Sequence, residues 1–166
     1  MEQAYAEFSV KRNNPPYINA LKVVLIVVLV ILLLIAMLSR NGIMIALGVG
    51  AAALLGWYWP RFNVTWEYVY CDGQIDFDAI LGQDKRKSNL RIDLDDADII
   101  APEKSPALDG YRHLEVRDYS SRRKDVIRYG IATKIEGKDA KILIYFEPNE
   151  KMLTLIKDKY PNKSKL

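Results

Sequence analysis

The 166-residue sequence holds a single cysteine, Cys71, and a single histidine, His113. One cysteine excludes an internal disulfide and fits a reducing compartment. So few soft ligands exclude a tetrahedral zinc site, and no serine or cysteine has a histidine beside it in sequence to act as a base. Cys71 directly follows Tyr70 and reads as a small buried or edge residue. His113, between Arg112 and Leu114, reads as a surface or strand-packing histidine. No catalytic residue, cofactor or metal is expected, and the chain reads as non-enzymatic. An excess of one charge is lacking too. Residues 61–166 carry 20 Lys+Arg against 19 Asp+Glu, so the basic footprint of a nucleic-acid binder is absent.

Charge is almost missing from a long inner stretch, Val23 to Trp59, interrupted only by Ser39, Arg40, Asn41 and Gly42. As one helix its roughly 37 residues would measure about 55 Å, well beyond a hydrocarbon core of about 30 Å. Cut at the polar tetrapeptide, "VVLIVVLVILLLIAML" and "IMIALGVGAAALLGWYW" each become a rod of roughly 24–26 Å. The expectation is a transmembrane helical hairpin, 20–38 and 43–59 with its turn at 39–42, preceded by an N-terminal tail, 1–19. Lys22 can snorkel to the head groups, and Trp57, Tyr58 and Trp59 suit an interfacial aromatic belt before Pro60 stops the helix. Asn41-Gly42 suits the reversal because both residues tolerate positive φ. Gly48, Ala52 and Gly56, four residues apart, line one face with small side chains. That stripe is expected to pack against the first helix; a partner protein or a second copy of the chain is the alternative.

A cleaved signal peptide does not fit. The region before the apolar run is long and contains Glu2 and Glu7, and no small-x-small site follows before Arg40. Lys11, Arg12, Lys22 and Arg61 flank the pair, whereas the connecting turn has only Arg40, so both termini are expected on the cytoplasmic side of the cell membrane.

After Pro60 the apolar pattern alternates. Trp66, Tyr68 and Tyr70 share one face, and beyond Asp72-Gly73 so do Ile75, Phe77 and Ala79, which predicts two strands about a hairpin turn. Leu90, Ile92 and Leu94 mark a third strand after the polar loop "GQDKRKS". The stretch "APEKSPALDG" reads as a loop, "YRHLEVRDY" and "DVIRYGIATKIEG" as further strands, and a turn at Gly137-Lys138-Asp139 leads into "AKILIYFE". The last segment changes period: Met152, Leu153, Ile156 and Tyr160 form the stripe of an amphipathic helix over 148–160, with Pro148 in its first turn. Six or seven short strands and one closing helix are expected over 61–166.

That layout, and the phrase "WEYVYCDGQIDFDAILGQDKRKSNLRIDLDDADIIAPE" behind two apolar helices, resembles bacterial membrane proteins that set a helix pair before a pleckstrin-homology-like domain. It is most similar to a small group from clostridial-type bacteria. The resemblance implies an α+β, mainly β fold: a pleckstrin-homology-like antiparallel barrel or sandwich with a C-terminal α-helix. It implies no reaction, because such domains serve lipid binding, peptide binding and scaffolding alike. The first hairpin is acidic here, with Asp72, Asp76 and Asp78.

Three charged groups remain. Asp93, Asp95, Asp96 and Asp98 would, in a strand, bring Asp93 and Asp95 to one side; a solvated edge that discourages aggregation accounts for them better than a calcium or magnesium site. Lys85, Arg86 and Lys87 and then Arg122, Arg123 and Lys124 are expected in loops close to the bilayer, where each cation contributes about 1 kcal/mol against an anionic leaflet. The chain is expected to be a membrane-anchored binding or scaffold protein whose partners are the lipid bilayer and an unknown membrane or cytoplasmic protein. The alternative is a regulatory or assembly subunit that contacts a larger transport or secretion complex through its helical hairpin.

Overall fold

The computed structural model describes residues 4–82, 85–135 and 140–165. The expected turn at Gly137-Lys138-Asp139 lies outside the described residues, as do Gln83 and Asp84 of the polar loop.

The first element departs from the expected tail. Tyr5–Lys11 is a strand, β1, paired antiparallel over its whole length with β2 (Val64–Cys71), from Tyr5 opposite Cys71 to Lys11 opposite Thr65. The physical reason is a period of two: Ala6 and Val10 turn inward and are buried, while Glu7, Ser9 and Lys11 face out. The helical pair is therefore an insertion between the first two strands of one sheet. Arg12–Pro15 lead into helix α1 (Pro16–Ser39), which starts with a proline where the missing N–H costs nothing. Arg40 carries the positive φ of the reversal, 46°, and Asn41 instead caps helix α2 (Gly42–Tyr58), its side chain accepting from the Ile43 N–H at 3.0 Å. The left-handed position thus falls one residue before Asn41-Gly42. Pro60 does not end the coil outright; Trp59–Phe62 continue as a 3-10 turn before β2. Pro16–Ser39 and Gly42–Phe62 are long and apolar enough to cross a membrane.

Strands β3 (Gln74–Leu81) and β4 (Lys85–Asp93) complete a four-stranded antiparallel sheet ordered β1-β2-β3-β4. The second sheet has the order β5-β7-β8-β6, from β5 (Ala97–Pro102), β6 (Glu115–Asp118), β7 (Tyr129–Lys134) and β8 (Lys141–Phe146). Over 61–166 the described residues form seven strands, within the six or seven expected, and β1 adds an eighth from the N-terminal tail; β6 runs parallel to β8, so the second sheet is mixed. Among the described residues no strand pairing joins the two sheets, and the barrel does not close. The expected strand at 111–119 shrinks to Glu115–Asp118 because Pro106–Tyr111 form a 3-10 turn first, leaving His113 in a turn.

The two sheets enclose an aromatic core. Phe77 stacks on Tyr119 with centroids 4.9 Å apart, Trp66 meets Tyr119 edge-on at 4.9 Å, and Tyr68 and Phe146 close the cluster at 5.6–5.8 Å. The Tyr68 hydroxyl donates to the Tyr119 carbonyl at 2.6 Å, which fits the rule that a buried phenol finds a partner; burial pushes its pKa up. Helix α3 (Glu150–Lys159) covers one end of this core with Met152 and Ile156. It starts two residues later than expected because Asn149 supplies the cap, accepting from the Met152 N–H at 2.9 Å, and Pro148 stays outside. Leu143, on the opposite face of β8, joins Leu108 in a smaller second core.

Candidate functional site

The strand register gives the domain two unlike poles. Lys11, Thr65, Ile80 and Arg86 are successive partners across all four strands of the first sheet. This row lies at the foot of the helices: the Arg12 N–H donates to the Val64 carbonyl at 2.9 Å, and the Gly82 N–H to the Asn63 carbonyl at 3.2 Å. Gly82 sits so close that a Cβ there would be 2.9 Å from the Pro60 Cβ. At the other end Tyr5, Cys71, Gln74 and Asp93 form the corresponding row, next to Asp72, Asp95 and Asp96.

The first basic group belongs to strand, not loop. Lys85, Arg86 and Lys87 open β4, an edge strand, because pairing with Leu81, Ile80 and Ala79 of β3 extends it beyond its first buried apolar side chain, Leu90. Arg86 reaches across the outer sheet face to Asp78 at 2.7 Å and Glu67 at 2.6 Å, two carboxylates that are themselves buried. Burial first, then neighbouring Glu7 and Asp78, raise the Glu67 pKa against the opposing pull of Arg86. Arg86 is thus committed inside the protein, while Lys85 and Lys87 form no ion pair among the described residues.

The second group does lie in a loop, between β6 and β7, and other elements bring it to the same pole. The Asn13 N–H donates to the Ser121 carbonyl at 2.7 Å. Ser121 in turn gives its hydroxyl and N–H to Oε1 of buried Glu147 at 2.8 and 3.0 Å. Arg122 takes a positive φ of 60° and reaches Asp118 at 3.2 Å, Arg123 pairs with Asp125, and Lys124 has no ion pair among the described residues. Beyond the cations, Val126 and Ile127 are exposed.

A model of the family described as Bacterial PH-like domain (DUF6106) matches residues 2–166, β1 and the helical pair included. The chain belongs to this family. Comparison with curated proteins and with solved structures returned no match. The family description names a bacterial origin and a PH-like fold, and no narrower group of bacteria.

Within this PH-like chain the remaining singled-out residues stay apart. Gly48 is buried in the helix pair, where a Cβ would meet Leu33 Cδ2 at 3.0 Å and Ala36 Cβ at 3.9 Å. Ala52 is half-buried, and Gly56 is exposed with nothing within 4 Å of a Cβ position, so α1 lies against one end of the small-residue stripe only. Cys71 is exposed at the end of β2 rather than buried. Asp93 does not share a strand face with Asp95: its carboxylate accepts from the Asp95 N–H at 2.9 Å and opens a 3-10 turn, Leu94–Asp96. Among the described residues no group of three or more His, Cys, Asp or Glu could hold a metal ion. Lys163 from the C-terminal segment donates to the Leu94 and Asp95 carbonyls at 3.1 and 2.6 Å, and Lys159 to the Asp72 carboxylate at 2.6 Å. The acidic pole is therefore partly neutralised from within. Lys11 and Arg12 read from the sequence only as a flank of the helix pair; the pairing of β1 and the Asn13–Ser121 contact bring them beside the loop 122–124, which buried Glu147 holds through Ser121. The alternation Ala6, Phe8, Val10 is the one signal that could have found β1.

Proposed function

We propose that this protein is a non-enzymatic membrane-anchored scaffold whose PH-like domain holds its basic pole against an anionic leaflet, with both ends of the chain in the cytoplasm. One observation carries the reading: Lys11, Arg12, Lys22, Arg61, Lys85, Lys87 and Lys124 gather at the end of the domain from which both helices leave. The pairing of β1 with β2 supports same-side termini, because strands flanking a two-span insertion can pair only if both spans return to one face. The connections are short, four residues before α1 and a 3-10 turn after α2, so the domain is held at head-group distance in a narrow range of orientations. Such tethering supplies effective concentration, and weak contacts then suffice. Arg61 lies 4.8 Å from the Trp57 ring and 4.9 Å from that of Tyr58, an arrangement suited to the interface.

The test uses the full chain, since a fragment 61–166 would lack β1. In phosphatidylcholine bilayers containing phosphatidylglycerol, amides of 85–87 and 119–128 should exchange more slowly than in pure phosphatidylcholine. The protection should fade as salt shortens the Debye length from about 10 Å at 0.1 M to about 3 Å at 1 M. Equal exchange in both bilayers sinks the leaflet contact, and terminal reporters found in opposite compartments sink the topology. A second reading, a subunit of a larger membrane complex, is favoured by exposed Gly56, which α1 leaves open to another helix. On that reading Gly56→Leu abolishes co-purification of the complex and leaves the exchange pattern intact.

A further inference from the structure

A polar groove of about 590 Å³ opens where β1 turns into α1, walled by Lys11, Arg12, Lys22, Arg123 and Lys124 with Asp125 as its lone carboxylate. Three separate stretches of sequence supply these groups, so the concentration of charge belongs to the fold. Asp125 is already engaged by Arg123, and Lys11, Arg12, Lys22 and Lys124 form no ion pair among the described residues. Arg12 is partly desolvated and faces Arg122, and both effects pull its pKa down; such a site gains from an anion. Asn13, Asn19 and Asn63 add amides to the wall. Asn63 spends its Oδ1 on Lys22 at 3.2 Å, which leaves its Nδ2 as a donor. Donors in such excess suit a group that only accepts, and a phosphate group offers several such oxygens together with negative charge. Depth agrees: Lys22 Nζ lies 5.9 Å from the Trp59 ring and 5.5 Å from that of Phe62, at the aromatic belt of the helix pair.

We propose that this groove at the root of α1 binds one phosphate group, carried by a phospholipid head group of net negative charge or present as the free anion. The inference deepens the leaflet reading above and rests on it for the depth of the site, but it demands a defined stoichiometric site where that reading needs only a diffuse field.

The experiment is native mass spectrometry of the detergent-solubilised full chain, titrated separately with phosphatidylglycerol, phosphatidylcholine and inorganic phosphate. One phosphatidylglycerol or one phosphate per chain should be retained in preference to phosphatidylcholine. The double variant Lys11→Gln with Lys124→Gln should weaken retention about tenfold to thirtyfold, as two lost cations imply. Lys11→Arg with Lys124→Arg should restore it, which separates loss of the site from loss of the fold. Lys151→Gln with Lys157→Gln, on the exposed face of α3, should leave it unchanged. Retention of phosphatidylglycerol in excess phosphate assigns the head group; retention of phosphate with displacement of the lipid assigns the free anion, and both uphold the site. Equal weakening by the two glutamine pairs, or phosphatidylcholine held as well as phosphatidylglycerol, overturns it. The leaflet reading has its own readout, since amide protection at 85–87 in bilayers lies outside the groove and survives failure of the groove alone.

Discussion

The helical pair and the domain place apolar side chains by opposite rules. In α1 and α2 only Ala36 and Gly48 are buried, whereas Val27, Ile31, Leu34, Ile43 and Leu47 are exposed. In the domain Tyr68, Ile75, Phe77, Ile144 and Phe146 have no accessible surface at all. The same chemistry produces both because the solvents differ. Water drives the domain's apolar groups together, while lipid tails are as apolar as leucine and leave helix pairing to close packing of small residues. One region therefore depends on many buried contacts and the other on a few points of approach.

Removing one core ring gives the largest effect and tests how separable the regions are. Phe77→Ala strips contacts from Tyr68, Tyr119 and Phe146 and should cost about 3–5 kcal/mol of domain stability. Thermal unfolding of the domain should shift sharply down while the chain stays resistant to alkaline extraction from membranes. Extraction of the variant would show that the helices need the domain to remain inserted.

A smaller effect probes the helix pair. Gly48→Leu drives a side chain into Leu33 and should loosen the pair by about 1–3 kcal/mol, whereas Gly56→Leu meets nothing within 4 Å and should leave it intact. Crosslinking between cysteines placed on α1 and α2 reads the difference. Equal behaviour of the two variants would mean that the point of closest approach lies elsewhere.

The smallest effect concerns the carboxylates held under Arg86. Because the Glu67 pKa is raised in the folded state, ionisation opposes folding, and this cost disappears as pH falls through the folded value toward the ordinary glutamate range. The stability of the natural chain relative to Glu67→Gln should therefore rise as pH is lowered across that window. A difference that is flat with pH would place Glu67 in a more solvated setting than its burial implies.

Two apolar spans, the Asp72-Gly73 hairpin, the inward faces of β2, β3 and β8, and a closing C-terminal helix were all legible locally, since periods of two and 3.6 are properties of neighbouring residues. β1 was not, although Ala6, Phe8 and Val10 alternate, because its partner β2 begins more than fifty residues later, beyond two helices. The basic loop 122–124 could be read as a charged group, but not its position beside Lys11 and Arg12, which the Asn13–Ser121 and Ser121–Glu147 hydrogen bonds create. Arg86 shows the converse: a cation that reads as surface charge is occupied by Glu67 and Asp78.

Composition and period alone determined that this chain carries two lipid-length rods and one small β-rich domain, because solvent preference and backbone repeat act over a few residues. Only the tertiary structure decided that the rods are an insertion within a sheet and that cations from three distant stretches share one pole. Strand pairing and loop docking join residues far apart in the chain, and no local pattern encodes which distant partner is chosen.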